Sequence, residues 1–221
     1  MRITGGVWGG RHLQLPKGPR IRPTQDQVRQ ALFNLLGEAV RGARVLDLFC
    51  GSGALGLEAL SRRASHATFV DRSPFCIDAV RVNLDRLDIA AAGHRACRLG
   101  TLSAVRPRSA AGAVAEASPQ APPVASAGIL QSDAVSAIRK LDRLGQRFDL
   151  VFLDPPYAGG LARKALITLS RYVIVSAAGW VIVEHDKRDP LPEEWVAEGS
   201  RLVSQRIEQY GDTALALYRR Q

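Results

Sequence analysis

Asp154-Pro-Pro-Tyr157 carries the most chemical content of any tetrapeptide in this 221-residue chain. A primary amine on a purine ring is a poor nucleophile, because its lone pair is delocalised into the ring. Two hydrogen-bond acceptors aimed at the amine hydrogens favour pyramidalisation and turn the lone pair toward an electrophile such as a methyl donor. The Asp154 carboxylate and the Pro155 carbonyl are suitable acceptors. Pro155 and Pro156 stiffen the loop and remove competing N–H donors, and Tyr157 offers a ring on which a base can stack. Such a site works by positioning and by stabilising the charge that the amine gains, without a covalent enzyme intermediate. A proline-rich turn closing a core strand is the plainer alternative for the same residues.

A second constellation precedes it. Gly51-Ser-Gly-Ala-Leu-Gly56 reads G-x-G-x-x-G, and Asp71 stands twenty residues after Gly51. Taken alone this is the dinucleotide fingerprint, in which glycines admit a ligand to the backbone and the acid takes a ribose diol. Any adenosine-bearing cofactor meets those conditions. Asp47, four residues before Gly51, tilts the choice: an acid there suits the cationic amino-acid end of S-adenosylmethionine and repels a pyrophosphate. A tight strand-to-helix turn without a ligand is the alternative for the glycines alone. Cys50 lies in the loop with no base near it in sequence and reads as a small apolar filler.

The elements that must carry these loops alternate between strand and helix. Thr24 with Gln27 forms a capping box for a helix whose apolar face is Val28, Ala31, Leu32, Leu35 and Leu36, with Gly37 as its stop. A strand at Arg44 to Phe49 leads through the glycine loop to a helix at about 53 to 62 and a strand at His66 to Asp71. Ser73 and Pro74 open a further helix with Ile77, Val80, Leu84 and Leu87 on one face. A strand near 127 to 131, a helix from Asp133 to Leu144 and the apolar strand Phe148 to Leu153 follow. This alternation predicts a parallel sheet covered on both faces, with both loops at the carboxyl edge where such sheets bind ligands. A strand at Trp180 to Glu184 comes next, then strands at roughly 202 to 210 and 213 to 219. The Gly211-Asp212 link between that last pair is too short for a parallel crossover, so they form an antiparallel hairpin. Tyr172 to Ser176 is ambiguous, being strand by propensity and loop by position. Residues 103 to 128 hold nine Ala, four Ser and four Pro without periodicity and read as a flexible insertion, at about 100 to 126.

Composition narrows the class. With 46% apolar and 23% charged residues, the chain supports a globular core. Thirty basic against 21 acidic residues leave a charge of +9, and 26 of the thirty are Arg. Arginine suits phosphate, so nucleic acid, an anionic surface and an acidic protein are the partner classes to weigh. Residues 1 to 25 hold Arg2, Arg11, Lys17, Arg20 and Arg22 and no acid, which makes them the most lopsided charge block. No secretory leader and no apolar run of membrane-spanning length is present, so a membrane role is set aside. Cys50, Cys76 and Cys97 have no metal-ligand spacing and read as reduced thiols of a cytoplasmic protein; no metal is expected.

The chain resembles the bacterial 16S rRNA guanine N2-methyltransferases of the RsmD family along nearly its whole length. The stretches that carry the resemblance are Arg2-Ile-Thr-Gly-Gly6 with Gly10-Arg11, Arg22-Pro-Thr-Gln-Asp-Gln-Val-Arg29 with Leu32-Phe-Asn34, Asp47 through Arg62, and Asp154 to Tyr157. It implies a class I S-adenosylmethionine-dependent methyltransferase with a Rossmann-like, mostly parallel seven-stranded sheet ending in an antiparallel hairpin. Residues 1–23 would be a basic RNA-contacting extension and 24–221 the methyltransferase domain. The implied reaction is methylation of the exocyclic N2 of guanine 966, in the usual 16S numbering, on the small ribosomal subunit or an assembly intermediate, by a monomer. Residue by residue, the family pattern puts Asp47, Gly51 and Gly53 around the methionine part of S-adenosylmethionine, Asp71 on the ribose, and Asp133 with Ala134 near the adenine, with Phe49 and Ser52 also in the cofactor site. Thr24 would cap a helix whose free N–H groups attract the cofactor carboxylate. Asp154, Pro155, Pro156 and Tyr157 would hold the target base, and Arg2, Arg11, Lys17, Arg20 and Arg22 the RNA. Against this stand the same chemistry on adenine N6 of DNA or a protein glutamine, a non-catalytic RNA-binding assembly factor, and, more distantly, an NAD-dependent dehydrogenase.

Overall fold

The structure, a computed structural model, describes residues 1–16, 26–92, 125–156, 160–197 and 200–221. Its centre follows from the apolar runs. Arg44–Leu48 (β1) and Phe148–Leu153 (β5) are buried along nearly their whole length on both faces, as continuous hydrophobic strands of a covered parallel sheet must be. His66–Asp71 (β2) pairs with β1 in parallel, and Ser126–Gln131 (β4) pairs with β2 on its other side. Side chains alternate about this plane. Val45, Phe69, Leu150 and Phe152 pack with three helices, Asp26–Leu36 (α1), Ala54–Ser61 (α2) and Pro74–Arg86 (α3). Leu46, Leu48, Val151 and Leu153 pack with Ala134–Arg143 (α4) and Leu161–Arg171 (α5) on the other side. The period-two alternation of the strands therefore builds two apolar layers on one sheet.

The sheet has nine strands among the described residues, in the order β3-β4-β2-β1-β5-β6-β9-β8-β7. The remaining five are Ala90–Ala92 (β3), Val175–Asp186 (β6), Glu194–Ala197 (β7), Ser200–Tyr210 (β8) and Thr213–Arg220 (β9), the last closing the chain. The seven expected strands are the central seven; β3 and β7 are additional edges of three and four residues, too short to leave a periodic signature. From β3 to β6 the strands are parallel; β9 is antiparallel to β6 and pairs Thr213 with Tyr210 of β8 across the expected hairpin. Chain order runs outward from β1 in both directions, through β2 and β4 on one side and through β5 and β6 on the other. The crevice of this sheet thus opens between β1 and β5, at the switch point.

Two expectations need correction. The strand expected near 127 to 131 is present as β4 but begins one residue earlier, at Ser126, the last residue assigned to the insertion; Ser126, Ala127 and Gly128 pair with His66, Ala67 and Thr68. Small residues fit there because pairing to β2 compensates for weak propensity; the rest of the insertion, up to Val124, lies outside the described residues. The ambiguous Tyr172 to Ser176 divides: Tyr172 ends α5 in extended conformation, and Val175 begins β6. The β5–β6 register shifts between Phe148 and Leu150, and Ala178 has φ +58°, an irregularity that hides the true start of the strand from sequence pattern. Gly37, at φ +48°, does end α1.

Residues 1–16 are built into the domain. Arg2 and His12 form an antiparallel bridge, and Ile3 and Leu13 are buried. Gly6 makes this docking possible. Its φ is +78°, and a Cβ there would lie 2.0 Å from the Ser61 carbonyl oxygen, so only glycine brings the N-terminal chain this close to α2.

Candidate active site

Register brings the sequence-selected acids to one edge. Leu48 pairs with Val70 and with Leu153, so Phe49, Asp71 and Asp154 stand at the same level on three adjacent strands, with Asp47 just below. Asp71 pairs with Gln131, so Asp133 follows two residues beyond that level on β4. The described residues therefore bring Asp47, Asp71, Asp133 and Asp154 together at the carboxyl edge. Thr24, Tyr157, Lys17, Arg20 and Arg22 lie outside the described residues.

Asp47 is only 1% exposed, and its Oδ2 accepts the Gly56 N–H at 2.9 Å. Burial pushes its carboxyl up to about 7; the Gly56 N–H opposes that, and the neighbouring Asp154 and Asp71 carboxylates add to it. This has two consequences for ligand choice. A dinucleotide pyrophosphate seeks free N–H groups at the helix N-terminus, whereas Asp47 has already taken one of those of α2. Three mutually repelling carboxylates also disfavour an anion and favour a cation, and S-adenosylmethionine carries an ammonium and a sulfonium. The residues present fit that cofactor.

Asp71 anchors the rim. Its Oδ2 accepts the Gly51 N–H at 3.1 Å and its Oδ1 the Ser73 N–H at 2.9 Å, which ties the glycine loop to the start of α3. Each carboxylate oxygen has a second lone pair, so a ribose diol can still be received. The glycines divide their work: Gly51 and Gly53 have φ of +54° and +81°, whereas a Cβ at Gly56 would meet the Phe69 ring at 2.4 Å. Gly56 therefore serves helix-to-strand packing. Phe49, at φ +72°, shares the left-handed turn. Ser52 turns its hydroxyl to the Met1 sulfur at 3.3 Å, so its share in the site is through its backbone. Asp133 is the N-cap of α4, accepting the Ser136 N–H at 3.0 Å, which holds its carboxyl below the usual range; Ala134 beside it is buried. Pro155 is buried and Pro156 exposed, in the turn that leaves β5. Burial pushes the Cys50 thiol well up, which suits a filler and not a nucleophile.

Sequence reasoning passed over three side chains beneath this edge. Glu58 is fully buried in α2 and receives the Thr4 N–H and hydroxyl, both at 2.7 Å, Arg62 Nε at 2.9 Å and Arg29 Nε at 3.4 Å. Arg29, also fully buried, donates through Nη2 to Asp26 and to the Arg2 carbonyl. Asn83 of α3 spans the Ser52 carbonyl and the Gln14 backbone. Their signals were present: Glu58 is a lone acid in an apolar octapeptide, and Asn83 falls three residues after Val80 on the apolar face of α3. Of the exposed cations, Arg2 approaches Asp26 at 3.9 Å, and Arg11 donates to the Arg86 carbonyl at 3.1 Å. No helix among the described residues is long and apolar enough to cross a membrane.

Residues 1–115 and 108–219 match the family described as Conserved hypothetical protein 95. Ribosomal RNA small subunit methyltransferase D of Escherichia coli (strain K12) is 32% identical over 224 residues, covering 100% of this chain and 90% of that protein. The protein of the same name from Haemophilus influenzae is 30% identical over 197 residues, covering 88% of this chain and 84% of that one. Among solved structures, a hypothetical protein of Thermus thermophilus superposes with a TM-score of 0.68 at 26% identity, over 98% of each chain. A methyltransferase solved in complex with SAH shares the fold at 15% identity and a TM-score of 0.55, over 90% of this chain and 50% of that one. A family match that spans almost every residue, with 32% identity to a relative along the full length, makes this chain a member of the Conserved hypothetical protein 95 family, the family of ribosomal RNA small subunit methyltransferase D.

Proposed function

We propose that this protein is a cytoplasmic, monomeric S-adenosylmethionine-dependent methyltransferase that modifies the exocyclic N2 amine of guanine 966 in 16S rRNA, on the small subunit or its assembly intermediate. One observation carries the reading: the Asp154-Pro155-Pro156 turn leaves β5 beside the glycine loop of β1, with Asp154 near enough to raise the carboxyl of Asp47. A binding module has no use for an amine-orienting turn at the mouth of a cofactor loop.

In this reading Asp47 faces the cofactor ammonium, with Phe49, Gly51, Ser52 and Gly53 forming the wall by their backbone. Asp71 would receive the ribose hydroxyls and Asp133 and Ala134 would border the adenine; Thr24, by the family pattern, would serve the cofactor carboxylate. When bound, S-adenosylmethionine supplies an electrophilic methyl on sulfur. Asp154 and the Pro155 carbonyl would accept hydrogen bonds from the two N–H groups of the guanine amine, turn its lone pair toward the methyl and offset the positive charge the nitrogen gains until its surplus proton leaves to solvent. Tyr157 stacks on the base once it has been splayed from its neighbours. Arg2, Arg11, Lys17, Arg20 and Arg22 hold the RNA backbone.

The test is transfer from tritiated cofactor to small subunits from a strain lacking the modification, followed by mapping of the labelled nucleoside. The expected product is N2-methylguanine at position 966. Asp154→Ala should abolish transfer while cofactor affinity stays within about threefold, since the lost acceptor serves the transition state. Label on adenine N6 or on a protein glutamine, or transfer undiminished in Asp154→Ala, would overturn the assignment.

A further inference from the structure

The glycine loop is held in a shape that the chain would not keep by itself. Phe49, Gly51 and Gly53 all have φ between +54° and +81°, and Phe49 is not a glycine. Backbone in that region persists where its surroundings over-determine it. Most of the ties are within the sheet edge: the Phe49 and Cys50 N–H groups both reach the Val70 carbonyl at 3.0 Å, Gly51 donates to Asp71, and Gly53 donates to the Cys50 carbonyl at 2.7 Å. The Ser52 carbonyl points the other way, to one side chain. Asn83 Nδ2 donates to it at 2.9 Å.

Asn83 is 1% exposed, and every polar atom of its amide is engaged. Nδ2 also donates to the Gln14 carbonyl at 3.0 Å, and Oδ1 accepts the Gln14 N–H at 2.7 Å. Rotating the amide would set Oδ1 against two carbonyl oxygens, so one orientation alone satisfies the site. A single buried residue on α3 thus joins the loop after β1 to the N-terminal segment.

We infer that Asn83 is a positioning residue for the cofactor: by clamping the Ser52 carbonyl against Gln14 it holds the glycine loop open in the shape that receives S-adenosylmethionine. This rests on the reading of the loop as the cofactor site. Asn83 touches neither cofactor nor RNA in that scheme. Its loss should therefore weaken cofactor binding and spare the chemistry once cofactor is saturating.

Asn83→Asp tests this, because it keeps the size and the acceptor for the Gln14 N–H while removing both donors and turning a carboxylate toward two carbonyls. S-adenosylmethionine affinity by calorimetry should fall about tenfold or more, with the rate of methyl transfer at saturating cofactor within about twofold of wild type. Tyr218→Phe is the control for simple destabilisation, since it deletes a buried hydroxyl that donates to the Pro192 carbonyl at 2.7 Å, away from the loop; it should lower thermal stability and leave cofactor affinity unchanged. Wild-type affinity in Asn83→Asp, or affinity that falls with stability in both variants alike, would overturn the inference. No heat from wild type with S-adenosylmethionine would instead overturn the cofactor reading beneath it. Should Asn83→Asp not fold, hydrogen exchange on wild type decides: cofactor should slow exchange of the Gln14 amide, and unchanged exchange refutes the clamp.

Discussion

The cofactor affinity of this protein should depend steeply on pH below neutrality, and the slope should belong to one residue. Asp47 is buried, and its carboxyl is raised from 3.8 to about 7. If only its ionised form attracts the cofactor ammonium, apparent affinity follows the ionised fraction, which is ~1% at pH 5, ~9% at pH 6 and ~50% at pH 7. Binding should therefore strengthen about tenfold from pH 5 to 6 and about fiftyfold from pH 5 to 7. It should weaken again above about pH 8, where an α-amino group loses its proton. The same group acts on stability with the opposite sense. Between pH 4 and 7 the folded protein retains a proton that the unfolded chain has released, so the contribution of Asp47 to stability falls as pH rises through that window. Keeping the carboxylate ionised at pH 8 costs at most about 4 kcal/mol, the interval from 3.8 to about 7 expressed as free energy. Asp47→Asn retains an acceptor for the Gly56 N–H and removes the charge. It should be more stable than wild type at pH 8, bind cofactor weakly, and lose the pH slope. Calorimetric titrations at pH 5, 6 and 7, with denaturant unfolding at pH 8, measure all three. Flat wild-type affinity across pH 5 to 7, a slope that survives in Asp47→Asn, or a variant less stable than wild type at pH 8 would each refute the reasoning.

Other perturbations probe the frame around the site. Glu58→Gln removes the fully buried carboxylate shared by Arg29 and Arg62, leaving Arg29 only the half-exposed Asp26 as its acid, and should cost about 3 kcal/mol or more in urea unfolding; a loss below about 1 kcal/mol would mean that Asp26 alone compensates Arg29. Gly6→Ala drives a Cβ to 2.0 Å from the Ser61 carbonyl and should destabilise by more than about 3 kcal/mol, read from the same curves; a wild-type midpoint would disprove the close docking of the N-terminal segment. Reversing Arg11, Arg20 and Arg22 to Glu should weaken association with 16S rRNA and flatten its dependence on salt by about one unit of slope for each phosphate no longer neutralised. An unchanged slope would return those arginines to ordinary solvated surface.

Local pattern makes the central strands and the acids legible in the sequence. The continuous apolar runs of β1 and β5 can only be doubly covered strands, and the glycine spacing after β1 marks a strand-to-helix turn wherever it occurs. Asp47, Asp71 and Asp154 are identifiable because an acid at the end of a buried strand has no packing reason to be there. Elements without such a signature escape. The edge strands Ala90–Ala92 and Glu194–Ala197 owe their form to a neighbour's hydrogen bonds, and the small residues at the start of β4 read as linker until β2 pairs with them.

The sequence by itself determined an α/β methyltransferase-like chain with its acids and glycines at one edge, because strand periodicity and turn chemistry are local properties. What only the tertiary structure decided is how that edge is held. Asp47 draws its raised carboxyl from burial and from two acids 24 and 107 positions away in the chain, and Asn83 gains its place by meeting residues 31 and 69 positions distant. The basic N-terminal segment shows the division best: its charge was plain in the sequence, but its welding to α2 through Gly6, Thr4 and the buried Glu58 was not, because burial and contact are properties of the folded chain alone.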